Sequence, residues 1–138
     1  MNTRKSKKAE GYRGYIFSRN INENFIPQRV QNLVIKDFAK RKNFFFKLSS
    51  TEYIMNGSYL MLGALVKEVK MLKGVIFYSY EMLFDNVSFC RDILLKIVKN
   101  KKNVYFALEE LQIKKNSMSF VESDTLKELL NKSNKKKR

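Results

Sequence analysis

The chain has 138 residues, a formal charge of +15, 44% apolar residues, one cysteine and no histidine. That length suits one domain with a real core, and the apolar share excludes disorder throughout. The single Cys90 rules out an intrachain disulfide and a cysteine-rich metal site. The lack of histidine removes Ser-His-Asp and Cys-His nucleophile pairs and imidazole ligands.

No apolar run approaches the roughly 18–20 residues that cross a bilayer. Met1–Glu10 is basic and polar with no apolar stretch behind it, which predicts no secretory signal and a cytoplasmic protein. The charge is uneven. Residues 1–13 carry +4 (Arg4, Lys5, Lys7, Lys8 and Arg13 against Glu10), and residues 132–138 carry +5. These ends read as basic flexible tails, 1–12 and 132–138, around a single domain, 13–131; tails of this kind bind nucleic acid through counterion release or simply stay solvated.

Gly14–Phe17 is an apolar run that predicts a buried strand, ending at Ser18-Arg19-Asn20. Pro27 suits a first helical turn, and Val30, Leu33, Val34 and Phe38 repeat at helical spacing to about Arg41. Phe44–Leu48 is the second strand, stopped by Ser49-Ser50-Thr51-Glu52. Asn56-Gly57-Ser58 caps a helix with an apolar stripe from Leu60 to Leu72, and Gly74 marks its end. Val75–Tyr78 is the third strand. Asp85 or Asn86 caps a third helix that buries Val87, Cys90, Leu94, Ile97 and Val98. Val104–Leu108 is the fourth strand, and Thr125 and Glu128 are spaced as a capping box in a short helix, Ser123–Leu130.

This alternation predicts a three-layer α/β domain with a short, mainly parallel four-stranded sheet and helices on both faces. In such sheets the ligand crevice lies beyond the carboxyl ends of the strands. Ser18 and Arg19, Ser49, Glu52 and Tyr53, Tyr78 and Ser79, and Glu109 fall there, with Gln28, Gln31 and Asn32 at the start of the first helix. Arg19 suits a phosphate or carboxylate, Glu52 and Glu109 suit acid–base work, and a structural salt bridge of Arg19 to either is the competing reading. There is no glycine-rich phosphate loop after a strand, and the acidic spacing predicts neither a metal nor a cofactor.

Two resemblances bear on function. Gly14-Tyr15, the helix opened by Gln28 and the Val75–Tyr78, helix, Val104–Phe106 succession make residues 12–112 similar in organisation to the catalytic domain of serine recombinases. That family's Tyr-x-Arg-Val-Ser signature is not matched: Phe17 stands at the arginine position and Arg19 at the serine position, with Ser18 one residue away. Its Asp-Arg-Leu-x-Arg segment has no counterpart in Tyr80–Asp85, so the resemblance implies a shared resolvase-like or flavodoxin-like fold without strand exchange.

The motifs Gly14–Arg19, Pro27–Asn32, Leu48–Met55, Tyr78-Ser79 and Phe106–Glu109 resemble those of the bacterial sporadic carbohydrate cluster proteins, a family of unknown function. That resemblance implies an accessory protein or small enzyme of surface-polysaccharide or lipopolysaccharide biosynthesis. Its ligand would be an anionic sugar or sugar nucleotide at the strand ends, and a further biosynthetic protein would be its partner. Two readings stand beside it: a resolvase-like nucleic-acid-binding protein without catalysis, and a scaffold that holds a partner enzyme. The sequence names no reaction and leaves the oligomeric state open.

Overall fold

The computed structural model describes residues 11–113. Residues 1–10, the expected helix Ser123–Leu130 and the basic end 132–138 lie outside the described residues. The elements run β1 (Tyr12–Phe17), α1 (Gln28–Arg41), β2 (Phe46–Glu52), α2 (Leu60–Lys67), β3 (Gly74–Phe77), α3 (Val87–Lys99), β4 (Asn103–Phe106) and β5 (Leu111–Ile113). Short 3-10 turns, Val69–Met71 and Tyr80–Asn86, precede β3 and α3.

The sheet order is β2-β1-β3-β4-β5. The first four strands are parallel, and β5 is antiparallel to β4. The sheet therefore has five strands, not four. Leu111-Gln112-Ile113 is too short for its alternation to stand out, and Glu110, with φ +56°, makes the tight reversal that brings it back along β4.

Strand alternation divides the core. Tyr12 and Ile16 face α1, where Phe38 and Phe44 pack on Tyr105 at ring distances of 5.4 and 5.1 Å. Tyr15 and Phe17 face α2 and α3, where the Phe17 ring lies 6.1 Å from Tyr59. Cys90, Ile93, Leu94, Ile97 and Val98 form the buried side of α3, capped at its start by the Asn86 side chain, which accepts from Phe89 N–H at 3.2 Å.

Four local expectations are corrected. The second strand continues through Ser49, Ser50 and Thr51 to Glu52. As an edge strand, β2 needs no continuous apolar run, and a register shift opposite Gly14 admits one extra residue. A Cβ on Gly14 would strike the Ser49 hydroxyl, so the absent side chain makes the bulge possible. Helix α1 presents Gln31, Ile35, Phe38 and Ala39 to the sheet, leaving Val30 and Leu33 exposed. Its rotation is set by Gln31, whose amide pairs with β1 as described below. The N-cap of α2 is Tyr59, which makes no side-chain cap bond; the Asn56-Gly57-Ser58 run contributes only a long contact, Ser58 Oγ accepting from Leu60 N–H at 3.5 Å, and the helix ends at Lys67. Gly74 begins β3 instead of closing a helix, at a point where a Cβ would meet the Asn103 carbonyl of β4.

Candidate functional site

The parallel strands carry the chosen polar residues to one rim, where they form two groups. The first surrounds Glu52, which ends β2 and is 1% exposed. Its Oε1 accepts from the Tyr15 hydroxyl at 2.7 Å and from Leu62 N–H at 3.1 Å. Its Oε2 accepts from Ser58 Oγ at 3.0 Å and from the Tyr53 and Met61 amides at 3.1 and 3.0 Å. A buried carboxylate thus caps the start of α2 from a neighbouring strand, meeting the helix dipole and its free N–H groups. Burial pushes the Glu52 carboxyl up, but the amides of Met61, Tyr53 and Leu62 and the Tyr15 hydroxyl outweigh it and hold the group below its ordinary value. The Tyr15 hydroxyl is pushed far up by burial and by Glu52.

Arg19 lies beside this group, 7% exposed. Its Nη1 donates to the carbonyls of Tyr53, Met55 and Ser58 at 3.1, 3.3 and 3.0 Å. Its Nε donates to Asp85 Oδ2 at 3.2 Å, and Nη2 stands 3.1 Å from the same oxygen. The guanidinium is stacked 3.9 Å over the Phe17 ring. Its counter-ion is Asp85, where the sequence reading had Glu52 or Glu109 in that role. Arg19 and Glu52 therefore hold the loop 53–58 from inside, the cation by its carbonyls and the carboxylate by its amide and hydroxyl. Tyr53, Ile54 and Met55 at its tip are exposed.

Gln31 and Ser18 serve the same end of β1. Gln31 Oε1 accepts from Phe17 N–H at 2.9 Å while its Nε2 donates to Phe17 O at 2.9 Å and Ile26 O at 2.8 Å. The side-chain amide thus imitates a strand. Ser18 Oγ donates to Glu52 O at 2.7 Å. Ser49 Oγ donates to Asn32 Oδ1 at 2.7 Å within the edge strand, away from the rim, and Gln28 is exposed at the start of α1.

The second group sits across β3 and β4. Ser79 Oγ donates to Glu109 Oε2 at 2.6 Å and accepts from Glu81 N–H at 3.1 Å. Glu109 Oε1 accepts from Tyr80 N–H at 3.2 Å. Burial raises the Glu109 carboxyl above its ordinary value against the opposing bonds from Ser79 and Tyr80. Tyr78, adjacent and buried, is raised by burial and then by Glu109 and Glu81. The rim thus joins Glu52 with Arg19 and Ser79 with Glu109, but as two groups and not one. The sequence reading missed Tyr15 and Ser58 as partners of Glu52 and took Asp85 only as a helix cap; a tyrosine inside an apolar strand carries no polar signal.

The motif residues are thus largely bonded to one another. Several solved structures resemble the fold. A resolvase family site-specific recombinase from Streptococcus pneumoniae superposes with a TM-score of 0.62 at 13% identity, over 87% of this chain and 89% of that one. The fold is resolvase-like. The N-terminal catalytic domain of TP901-1 integrase gives 0.57 at 18% identity, over 90% of this chain and 97% of that one. No family model matches the chain, and no curated protein matches it. The likeness to sporadic carbohydrate cluster proteins thus gains no support from these comparisons.

Proposed function

We propose that this resolvase-like domain binds nucleic acid through the N-terminal edge of its sheet and carries out no strand exchange. One observation carries the reading: charge is segregated between the two edges. The three connections that lead from a helix into a strand carry Lys40, Arg41 and Lys42; Lys67, Lys70 and Lys73; and Lys99, Lys101 and Lys102. All are exposed except Lys102, which is half-buried. Glu68 in the second connection is paired with Arg13 at 2.8 Å, and Arg41 is drawn to Asp37 at 2.8 Å and Glu110 at 3.5 Å.

The opposite connections carry Glu23, Glu81, Asp85 and Glu109, and the Arg19 cation there is turned inward. Cations in a last helical turn complement the helix dipole, but Lys70, Lys73, Lys101 and Lys102 lie beyond the ends of α2 and α3. Residues 1–10, with Arg4, Lys5, Lys7 and Lys8, join the fold at Gly11, at the cationic edge. A dense array of lysines without a shaped pocket suits phosphate contacts that ignore sequence.

The test is binding of a mixed-sequence duplex between 50 and 200 mM salt, compared with Lys70→Glu/Lys73→Glu/Lys101→Glu. The expected result is a steep salt dependence in the unaltered protein and at least a tenfold loss in the variant, with a slope shallower by about one per lost phosphate contact. No binding at 50 mM salt, or binding that the variant keeps, overturns the reading. Capture by anionic vesicles in preference to the duplex transfers the surface to a membrane and overturns it too.

A second reading rests on Ser79 and Glu109. A carboxyl raised by burial beside a hydroxyl suits uncharged sugar hydroxyls better than the anionic sugar expected of Arg19. A panel of neutral hexoses should raise the melting temperature of the unaltered protein and of Glu109→Gln, which keeps an uncharged polar group, but not of Glu109→Leu; no shift with any of them removes this reading.

A further inference from the structure

A groove of about 430 Å3 runs between α2 and α3 on the outer face of the domain. Leu60, Gly63, Ala64 and Lys67 line one wall at positions i, i+3, i+4 and i+7, and Phe89, Ile93 and Lys96 line the other at i, i+4 and i+7. Two stripes at these spacings form the seat that a third helix fills in a bundle. The seat is empty among the described residues: Leu60 is 65% exposed and Phe89 40%. A further hollow of about 180 Å3 continues it past Leu60 and Phe89 toward Gly57 and Asn86.

We propose that residues 122–130 of this same chain occupy the groove as a helix. Chemistry supports that occupant first. Leu126, Leu129 and Leu130 stand at i, i+3 and i+4, and Glu122, Asp124 and Glu128 are the only acids after Glu110 in a chain of +15. The groove presents the complement, an apolar floor ending at Lys67 and Lys96.

Direction supports it second. Helices α2 and α3 both run toward the N-terminal edge of the sheet, so the two lysines mark the groove's end at that edge. Ile113 leaves the sheet at the same edge. A segment coming from there meets the lysines with Glu122 and Asp124 before its leucines reach Phe89 and Leu60. Residues 114–121 span up to about 25 Å when extended, more than the roughly 10 Å width of α3 that they must cross. The inserted helix would run antiparallel to both neighbours, with its acidic start beside their C-terminal cations.

The test uses the full chain. Gly63→Cys places a side chain in open space, and Cys90 is buried, so a disulfide to Leu126→Cys reports contact. The expected product is a monomer that has lost two hydrogens by intact mass in most molecules. Independently, the amides of 123–130 in the unaltered protein should exchange at least about tenfold more slowly than in a free peptide, and Gly63→Phe should abolish that protection. Free-peptide exchange, no cross-link, or a cross-link only between chains overturns the proposal, the last by giving the groove to a second copy. Duplex binding by the lysine edge is a separate readout.

Discussion

The Tyr15 hydroxyl donates to Glu52 Oε1 at 2.7 Å and ties β1 to the terminus of β2 beneath the start of α2. Tyr15 is fully buried and Glu52 nearly so, and the carboxylate's remaining bonds go to the 53–62 segment. The pair is therefore a joint of the scaffold where a sequence reader expects an acid–base group.

Glu52→Ala should cost about 3–5 kcal/mol in urea unfolding, because it strands the Tyr15 hydroxyl and several amides without acceptors. Glu52→Gln keeps the shape but not the charge, and should cost less while removing the acid dependence. Because the folded carboxyl lies below its ordinary value, its contribution is present above about pH 4 and is lost as pH falls through the lowered value. Urea midpoints from pH 7 to pH 3 measure both effects.

Arg19→Ala should loosen loop 53–58 while leaving the sheet in place. Three carbonyls and Asp85 lose their donor, a loss of about 3 kcal/mol. Arg19→Lys should rescue little, since a single ammonium cannot reach carbonyls and carboxylate from the plane over Phe17. Limited proteolysis is the direct check: new cleavage should appear between Tyr53 and Ser58.

Glu109 behaves in the opposite sense. Its folded carboxyl is raised, so its contribution favours folding at low pH and is lost as pH rises through the folded value. Glu109→Gln should match the unaltered protein at about pH 4 and be the more stable of the two at about pH 8. Equal stability differences at both values would show that Ser79 and Tyr80 satisfy the ionised form fully.

Cys90 lies beside the Tyr59 side chain in the core, and burial pushes its thiol up to about 12. Labelling with a disulfide reagent at about pH 8 should be slower than for a free thiol by orders of magnitude. Adding urea should accelerate it in step with loss of helix signal. Rapid labelling of the native protein would contradict this environment.

Much of the architecture was legible because it rests on period and order. Val75-Ile76-Phe77 and the apolar positions from Cys90 to Val98 announce themselves, and strand–helix alternation compels parallel pairing. What escaped is set by tertiary contacts. Val30 and Leu33 share a helical spacing with Phe38, yet the bonds of Gln31 to Phe17 rotate them to the surface. Ser49–Thr51 look like a loop because nothing local shows that they line an edge. The topology brings Glu52, Arg19, Ser79 and Glu109 to one rim, but no sequence pattern reveals that their polar atoms point at the chain itself.

The uneven placement of charge has an effect before any contact. Eight lysines on one end and Glu23, Glu81, Asp85 and Glu109 on the other give the molecule a permanent electric dipole. At +15 the particles repel one another in dilute buffer, so the dipole acts on orientation instead: a polyanion approaching at low ionic strength should be met basic end first, and its association rate should fall steeply as salt is added. Once the screening length shrinks to about 8 Å, near physiological salt, this steering is confined to the last few ångströms of approach.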